Sequence, residues 1–417
     1  MPDSALSLET SSVEILKLSE RAAPRVSLVL VDWSVRESFH IIDYLRRQSA
    51  PREAFEIIIV EYYDHRSPAL EAYAEEVDSW ILLRAPASAL YHKHLMYNAG
   101  ILAARGEIVM IGDSDAMVQE SFIGAICQAF DENPDIVLHI DQFRNNRRDL
   151  YPFNKPTFAE ILGEGCVNNA DGQTAGLRDR SDPLHTRNYG ACMAARRARL
   201  IEIGGADEHV DFCGHICGPY DLTFRLINAG LSEVWHRSEF TYHSWHPGAA
   251  GVDNYQGPHD GKQMSTTSLE ALTAGRTRPL VENPGIRALR QGEALGPKAL
   301  LERAVPQANF ALWAEDGIKA AAAKPEWRMA RYGTAPAKYR GYRIEQPAAG
   351  KGWGAQALCN PADSIEAETL PGLLRAIDRR SSTRMTLLGL FGAFYLAWDR
   401  VREKLIKEVM ERLRRAP

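Results

Sequence analysis

Four short apolar segments alternate with stretches of helical character early in the chain, and this alternation constrains the fold most. The segments are RVSLVLV (25–31), FEIIIV (55–60), SWILL (79–83) and EIVMIG (107–112). Runs rich in Val, Ile and Leu are typical of strands that are buried on both faces of a parallel sheet. Strands that alternate with helices in this way predict an α/β fold with a mostly parallel open sheet and flanking helices.

The composition is that of a globular protein and excludes several other classes. Of the 417 residues, 45% are hydrophobic and 25% are charged, which excludes a disordered or fibrous chain. The formal net charge is −5, so the overall charge gives no sign of a nucleic-acid partner.

Changes in composition along the chain predict four regions. Residues 1–24 are a polar N-terminal arm, and residues 25–265 contain the α/β domain. A stretch rich in Gly and Pro predicts a loop and linker over 266–297. Residues 298–417, which are rich in alanine and in charged side chains, predict a mainly helical C-terminal region.

Two acids directly follow the fourth apolar segment, in the sequence Asp113-Ser114-Asp115. Ligands of open α/β sheets bind beyond the carboxyl ends of the strands. Two carboxylates at i and i+2 in such a place can hold Mn²⁺ or Mg²⁺ together with the phosphate oxygens of a substrate. The alternative is an acidic turn without a ligand, because such turns are common.

Other side chains near the predicted strand ends are candidates for binding a nucleotide. Glu61 can accept hydrogen bonds from a ribose or a base, Trp33 can stack on a flat ring, and Lys93 can balance phosphate charge. Each also has a structural alternative: a solvated acid, an aromatic residue packed on a helix and a solvated lysine, respectively.

Five ordered sequence blocks resemble the family-2 glycosyltransferases. The blocks are RVSLVLVDWS, EIIIVEYYD, KHLMYNAGILAARGEIVMIGDSD, NYGACMAARRARLIEIGGADE and YDLTFRLINAG, and they lie within residues 25–250. The resemblance implies the GT-A fold, a nucleotide-sugar donor, a divalent metal ion and inversion at the anomeric carbon. It places Trp33, Glu61, Asn98 and Asp113 on the donor, and Asp113 and Asp115 in the Asp-x-Asp motif.

The catalytic base is where the chain departs from this pattern. The family has a Glu-Asp pair where this chain has Gly218-Pro219, and only Asp221 remains of the block's acids. An inverting transfer needs a carboxylate that accepts the proton of the attacking hydroxyl. Asp221 is the first candidate base, and capping of the following helix is its structural alternative. Asp260, in a loop long enough to close over a donor, is the second candidate base.

Two histidines in His243-Ser-Trp-His246 follow a short strand-like segment. This late block is similar to that of chondroitin-polymerase-like and polypeptide GalNAc-transferase enzymes, which implies that His243 is a third metal ligand and His246 its alternative. The structural alternative is a hydrogen-bonded or surface role. A preceding cluster, Arg144 to Arg148, predicts either part of the acceptor pocket or a solvated basic loop.

The last part of the chain carries an amphipathic helical pattern over residues 385–413. Its apolar run is too short to span a membrane, which takes about 20 residues. We expect a helix packed on its own domain or on a partner subunit, with peripheral contact to an anionic membrane as the alternative. The scattered cysteines and the lack of a secretory signal predict a cytoplasmic protein, with a peripheral position at the inner face of a membrane as the alternative.

These observations predict a metal-dependent glycosyltransferase with a nucleotide-diphosphate sugar donor, UDP-linked in the first instance, and a glycan, lipid or small-molecule acceptor. One alternative is an inactive GT-A domain that binds a nucleotide sugar or a glycan. The other is a sugar nucleotidyltransferase, which is less favoured because Asp32 and Trp33 stand where that class has a Gly-rich, basic phosphate loop.

Overall fold

The structure is a computed structural model that describes residues 13–32, 38–85, 91–176, 183–212, 219–246 and 264–304, with shorter segments at 338–339, 342–345, 353–357 and 360–367 and residues 373, 376 and 377. The chain divides into two compact units, Met1–Ala320 and Ala321–Pro417.

The first unit contains a central sheet and two smaller sheets. Its strands are β1 (Glu14–Lys17), β2 (Val26–Asp32), β3 (Phe55–Tyr63), β4 (Ser79–Ala85), β5 (Ile108–Asp113), β6 (Met117–Val118), β7 (Ile136–His139), β8 (Gln142–Asn145), β9 (Asn169–Ala170), β10 (Gln173–Thr174), β11 (Cys192–Arg196), β12 (Ser232–Trp235) and β13 (Thr241–Ser244). The central sheet has eight strands in the order β1-β4-β3-β2-β5-β11-β7-β12.

The four predicted strands form the parallel centre of this sheet. β2 pairs in parallel with β3 and β5, and β3 pairs in parallel with β4. β11 pairs antiparallel with β5 and β7, and β12 pairs in parallel with β7. Every residue of β2 is buried, as expected for a strand that is covered on both faces. The predicted α/β class with a mostly parallel open sheet is therefore confirmed.

Helices cover both faces of the sheet. They are α1 (Ile41–Leu45), α2 (Pro68–Glu71), α3 (Lys93–Ala103), α4 (Phe122–Glu132), α5 (Phe158–Leu162), α6 (Pro183–Thr186), α7 (Arg197–Glu202), α8 (Tyr220–Asn228), α9 (Thr266–Thr273), α10 (Pro284–Arg290) and α11 (Pro297–Ala304). Alternate residues of β2 face the helices on opposite sides of the sheet. Leu28 and Leu30 belong to the apolar core on one side, which also contains residues of α1 and α4, among them Ile42 and Ile126. Val29 faces α3 on the other side, at Gly100.

Three strands that follow β5 in the sequence form a small separate sheet, in the order β6-β13-β8. β13 pairs antiparallel with β6 and in parallel with β8. Phe143 and Tyr242 are register partners on β8 and β13, and their rings lie 5.6 Å apart in a second apolar cluster. This sheet brings the segment around residue 243 close to the turn that follows β5.

The predicted linker at 266–297 is wrong, because these residues form α9, α10 and the start of α11 as part of the first unit. Its Asn and Pro residues act as helix starts rather than as linker residues. The Asn283 side chain accepts hydrogen bonds from the N–H groups of Gly285 and Ile286, and Pro284 is the first residue of α10. α10 and α11 contact α3, all of whose residues are buried. The polar N-terminal arm also needs a correction, because β1 in its second half is an edge strand paired antiparallel with β4.

The second unit contains a four-stranded antiparallel sheet, so the prediction of a mainly helical region over 298–417 is wrong for the residues of these four strands. Its strands are β14 (Lys338–Tyr339), β15 (Tyr342–Glu345), β16 (Trp353–Ala357) and β17 (Asn360–Ala367), in that order across the sheet. Residues 385–413, where we predict an amphipathic helix, lie outside the described residues. Within the part of the chain that the structure describes, no helix has the length and hydropathy needed to cross a bilayer.

Candidate functional site

Three acids lie together at the carboxyl edge of the central sheet. Asp32 ends β2 and is the register partner of Glu61 on β3, while Asp113 ends β5 and pairs with Val31. Because these strands are parallel, their ends meet at one edge, where open α/β sheets bind their ligands. The structure thus puts the predicted donor residues Glu61 and Asp113 at the same edge.

Asp115 and the two late histidines form a compact cluster next to this edge. The Oδ2 atom of Asp115 lies 3.5 Å from Nε2 of His243 and 3.1 Å from Nε2 of His246. One potential ligand atom from each residue lies within 4.8 Å of the others. Asp115 and His243 are buried and His246 is half-buried, so the cluster opens on the side of His246.

Pairing of β6 with β13 explains why residues so distant in sequence meet. Asp115 lies in the turn between β5 and β6, and Met117 of β6 pairs with Tyr242 of β13. Since side chains alternate along a strand, Tyr242 enters the apolar cluster while His243 points to the opposite face. His246 follows β13 by two residues and turns back to Asp115.

This donor set fits a divalent metal ion. Two imidazoles and one carboxylate are suitable ligands for first-row transition-metal ions. The Nδ1 atom of His243 is buried and has no hydrogen-bond partner among the described residues, so hydrogen bonding from that atom does not account for the ring's position. The ligand group contains Asp115 and both predicted histidines, whereas Asp113 is not a member of it.

Trp245, between the two histidines, is packed by residues of the preceding basic segment. The guanidinium of Arg148 lies over the indole ring, 5.1 Å from its centroid. The Tyr151 ring meets the same indole edge to face, at 5.7 Å between centroids. The basic segment therefore extends to the histidine segment.

Glu61 is buried and both its carboxylate oxygens have protein partners. The backbone N–H of Ser67 donates to Oε1 at 2.6 Å, and the indole N–H of Trp80 donates to Oε2. Burial raises the pKa of Glu61 to about 7, although both hydrogen bonds act in the opposite direction. The carboxyl group therefore changes its charge near neutral pH, which sequence reasoning did not predict.

Asn98, which we predict to contact the nucleotide-sugar donor, is fully buried. Its side chain forms hydrogen bonds that join α3 to the segment after α7. Its Nδ2 donates to the carbonyl of Ala206 and to Oε1 of Glu208, each at 2.9 Å. Its Oδ1 accepts from the N–H of Ala206 at 2.7 Å. In this structure the amide joins two parts of the protein, and its predicted contact with the donor stays a prediction. Lys93, the first residue of α3, is also buried.

Asp221, the first candidate base, is in a buried ion pair. Arg225 donates to its Oδ2 from Nε at 3.0 Å and from Nη2 at 2.7 Å, and both side chains are essentially inaccessible. Burial alone would raise the pKa of Asp221, but the positive charge of Arg225 holds it below its usual value. A carboxylate with a lowered pKa is a weak proton acceptor, so this geometry weighs against Asp221 as the base.

The capping alternative for Asp221 is wrong. α8 begins at Tyr220 with Pro219 as its N-cap residue, and no side chain accepts a capping hydrogen bond there. Asp221 bonds instead to Arg225, four residues later on the same helix. Spacing at i and i+4 is the sequence signal that predicts such a pair. Trp33 and Asp260, the remaining predicted site residues, lie outside the described residues.

No protein-family model matches the chain, and no curated protein matches it. Among solved structures, the chain is similar to the mannosyltransferase PcManGT from Pyrobaculum calidifontis in complex with GDP-Man and Mn²⁺. The identity is 16%, the TM-score is 0.35, and the match covers 78% of this chain and 80% of the other.

A second similar structure is that of S. aureus TarS residues 1–349 in complex with UDP-GlcNAc. The identity is 15%, the TM-score is 0.40, and the match covers 80% of this chain and 96% of the other. Because both TM-scores are below 0.5, these similarities do not decide the function of this chain.

Proposed function

We propose that this protein is a metal-dependent glycosyltransferase that moves a sugar from a nucleotide-diphosphate sugar to a hydroxyl group of an acceptor, with inversion. The observation that carries the proposal is the cluster of Asp115, His243 and His246 beside the carboxyl edge of the sheet. The five sequence blocks that resemble the family-2 glycosyltransferases support it, and we propose a UDP-linked donor in the first instance.

Asp115, His243 and His246 would hold the metal ion. Imidazole ligands favour a transition-metal ion over Mg²⁺, so we expect Mn²⁺ ahead of Mg²⁺. A divalent ion there would supply positive charge to the diphosphate leaving group. The cluster opens toward solvent at His246, where a diphosphate can enter.

The acids of the sheet edge would bind the nucleoside part of the donor. Asp113 is half-buried at the end of β5, so its carboxylate is within reach of a ribose. Glu61 is buried, with both oxygens bound to Ser67 and Trp80. We therefore assign Asp113 to direct contact, and Glu61 to shaping the wall of the nucleoside pocket.

Of the proposed roles, that of the catalytic base has the least support from the structure. Asp221 faces Arg225 rather than an open site, and its lowered pKa makes it a poor proton acceptor. Asp260 stays the second predicted base. A displacement by an acceptor hydroxyl requires one such carboxylate close to the attacking oxygen.

A second candidate function is binding of a nucleotide sugar without turnover. The observation that favours it is the same buried Asp221–Arg225 pair, combined with Gly218-Pro219 in place of the family's Glu-Asp pair. Such a domain would use the metal cluster and the sheet edge without a base.

Release of nucleoside diphosphate from a panel of UDP-, GDP-, CDP- and dTDP-sugars tests the proposal. The purified protein is assayed with Mn²⁺ and with EDTA, beside Asp115→Asn as the loss-of-cluster variant and Asp131→Asn as an exposed carboxylate control. Release that depends on Mn²⁺ and on Asp115 supports the transferase. Binding without release supports the second function, and the absence of both contradicts the two proposals.

A further inference from the structure

Arg144 lies directly beside the metal-ligand cluster. β8 and β13 run parallel, and Arg144 is the register partner of His243. Neighbouring strands are about 4.8 Å apart, and paired residues project to the same face. The preceding pair, Phe143 and Tyr242, faces the apolar cluster, so Arg144 and His243 share the opposite face, on which Asp115 lies.

The backbone of Arg144 is fixed by two hydrogen bonds to the neighbouring segment 167–168. Its N–H donates to Oδ1 of Asn168 at 2.8 Å, and its carbonyl accepts from the N–H of Val167 at 2.9 Å. Asn145, the next residue, donates from its side-chain amide to three carbonyls, those of Glu160, Ile161 and Glu164. The base of the Arg144 side chain is therefore held in place before any ligand arrives.

The guanidinium of Arg144, in contrast, is unpaired within the part of the chain that the structure describes. Its Nε is buried without a hydrogen-bond partner, and among the described residues no acid forms an ion pair with it. A buried donor without a partner is unfavourable in the folded protein, so the Arg144 side chain gains free energy when a ligand accepts its hydrogen bond. Arg147, three residues later, differs because it pairs with Asp149.

We propose that Arg144 binds an anionic oxygen of the donor's diphosphate, next to the metal ion. The inference rests on the proposed function, since the metal and the donor come from it. A metal ion held by His243 and a guanidinium carried by the register partner on the neighbouring strand repel each other, and an anion between them relieves this repulsion. Guanidinium groups bind phosphate oxygens through two parallel hydrogen bonds, and a diphosphate that bridges both cations satisfies each of them.

A phosphate or carboxylate on the acceptor would offer the same chemistry. The donor is favoured because Arg144 stands next to a metal ligand, and the proposed metal binds the donor's diphosphate. Arg148 lies over Trp245 and is exposed. An acidic acceptor would more readily meet Arg148.

Calorimetric titration of the Mn²⁺-loaded protein with UDP, GDP, UMP and GMP tests the inference without relying on turnover. We expect Arg144→Gln to weaken binding of the diphosphate that the wild type binds by roughly 10- to 100-fold, the range for hydrogen bonds to charged groups. Binding of the matching monophosphate should fall much less. Mn²⁺ affinity measured without nucleotide should not fall, because the substitution removes a neighbouring positive charge. Arg144→Lys should recover part of the loss, because it keeps the charge but not the planar fork.

Arg147→Gln is the matched control, since it removes an arginine of the same exposed segment that already has a partner. It should bind the diphosphate like the wild type, and thermal melting of every variant checks that it is folded. Wild-type affinity for the diphosphate in Arg144→Gln overturns the inference and leaves the proposed function in place. The same affinity with a raised KM for an acidic acceptor moves Arg144 to the acceptor side, which also overturns it. A wild type that binds neither diphosphate contradicts the proposed function itself.

Discussion

Arg225 and Asp221 form a buried ion pair within one helix: two guanidinium nitrogens donate to the same carboxylate oxygen, at 3.0 and 2.7 Å. The guanidinium also donates to the carbonyls of Ile203 and Gly205, so it joins α8 to the segment after α7. The pair therefore holds α8 and the segment after α7 together.

Asp221→Asn should unfold the protein more easily, because it leaves the buried charge of Arg225 without its partner. Breaking one side of a buried pair costs about 3–5 kcal/mol. Denaturant unfolding measures this loss, with Asp149→Asn as a surface control whose pair with Arg147 is exposed. A stable Asp221→Asn variant that lost all transferase activity would instead restore Asp221 as the base.

Gly100→Ala should destabilise the protein because α3 lies directly on β2 there. A Cβ at this position would lie 2.2 Å from Cγ1 of Val29. Overpacking of this kind costs about 1–3 kcal/mol. Gly124→Ala in α4 is the matched control: a Cβ there meets nothing within 4 Å, and alanine should add up to about 1 kcal/mol through helix propensity. Thermal or denaturant melts of the two variants should therefore shift in opposite directions, and equal shifts would contradict the packing described for α3.

Stability should fall as the pH rises through the range in which Glu61 ionises. The pKa of Glu61 is raised from 4.5 to about 7, so between these values the folded state holds a proton that the unfolded state has lost. The folded state then binds more protons, and the free energy of unfolding decreases with increasing pH, by at most about 3 kcal/mol.

Melting temperatures of wild type and Glu61→Gln, measured between pH 5 and 8.5, check this prediction. The amide side chain of the variant cannot ionise, so the pH dependence of the melting temperature should lack the contribution that Glu61 makes in the wild type. Gln also places an amide donor opposite Ser67 or Trp80, so the variant should be less stable at pH 5. Identical pH slopes in the two proteins would show that Glu61 ionises outside this range.

The centre of the fold was predictable from the sequence because burial on both faces leaves a local signal. β2, β3, β4 and β5 each lie within or around an uninterrupted apolar run. The helices at 266–297 were not predictable in this way. Asn283 begins α10 with side-chain hydrogen bonds to Gly285 and Ile286, but in sequence the same residue types indicate a loop.

The candidate site was predictable only as far as residue types and strand ends allow. Asp115 was a candidate from its place after a strand, and the two histidines were candidates from the resemblance of their block. The structure brings all three together. The bonds of Asn98 to Ala206 and Glu208 depend on long-range packing that leaves no local pattern. The place of Arg144 beside His243 depends on strand register, which the sequence of a four-residue strand does not specify.

The most direct test of the central claim is a thermal-shift measurement with nucleotide sugars on wild type, Asp115→Asn and His243→Ala. Each protein is melted with UDP-, GDP-, CDP- and dTDP-sugars, in Mn²⁺ and in EDTA. A ligand at 100 times its Kd stabilises the native state by about 2.7 kcal/mol, which corresponds to a rise of roughly 4 °C for a unit of this size. We predict such a rise for one nucleotide class in wild type with Mn²⁺, and its loss in EDTA and in both variants. An equal rise in EDTA, or in the two variants, would contradict the metal-dependent site at Asp115, His243 and His246.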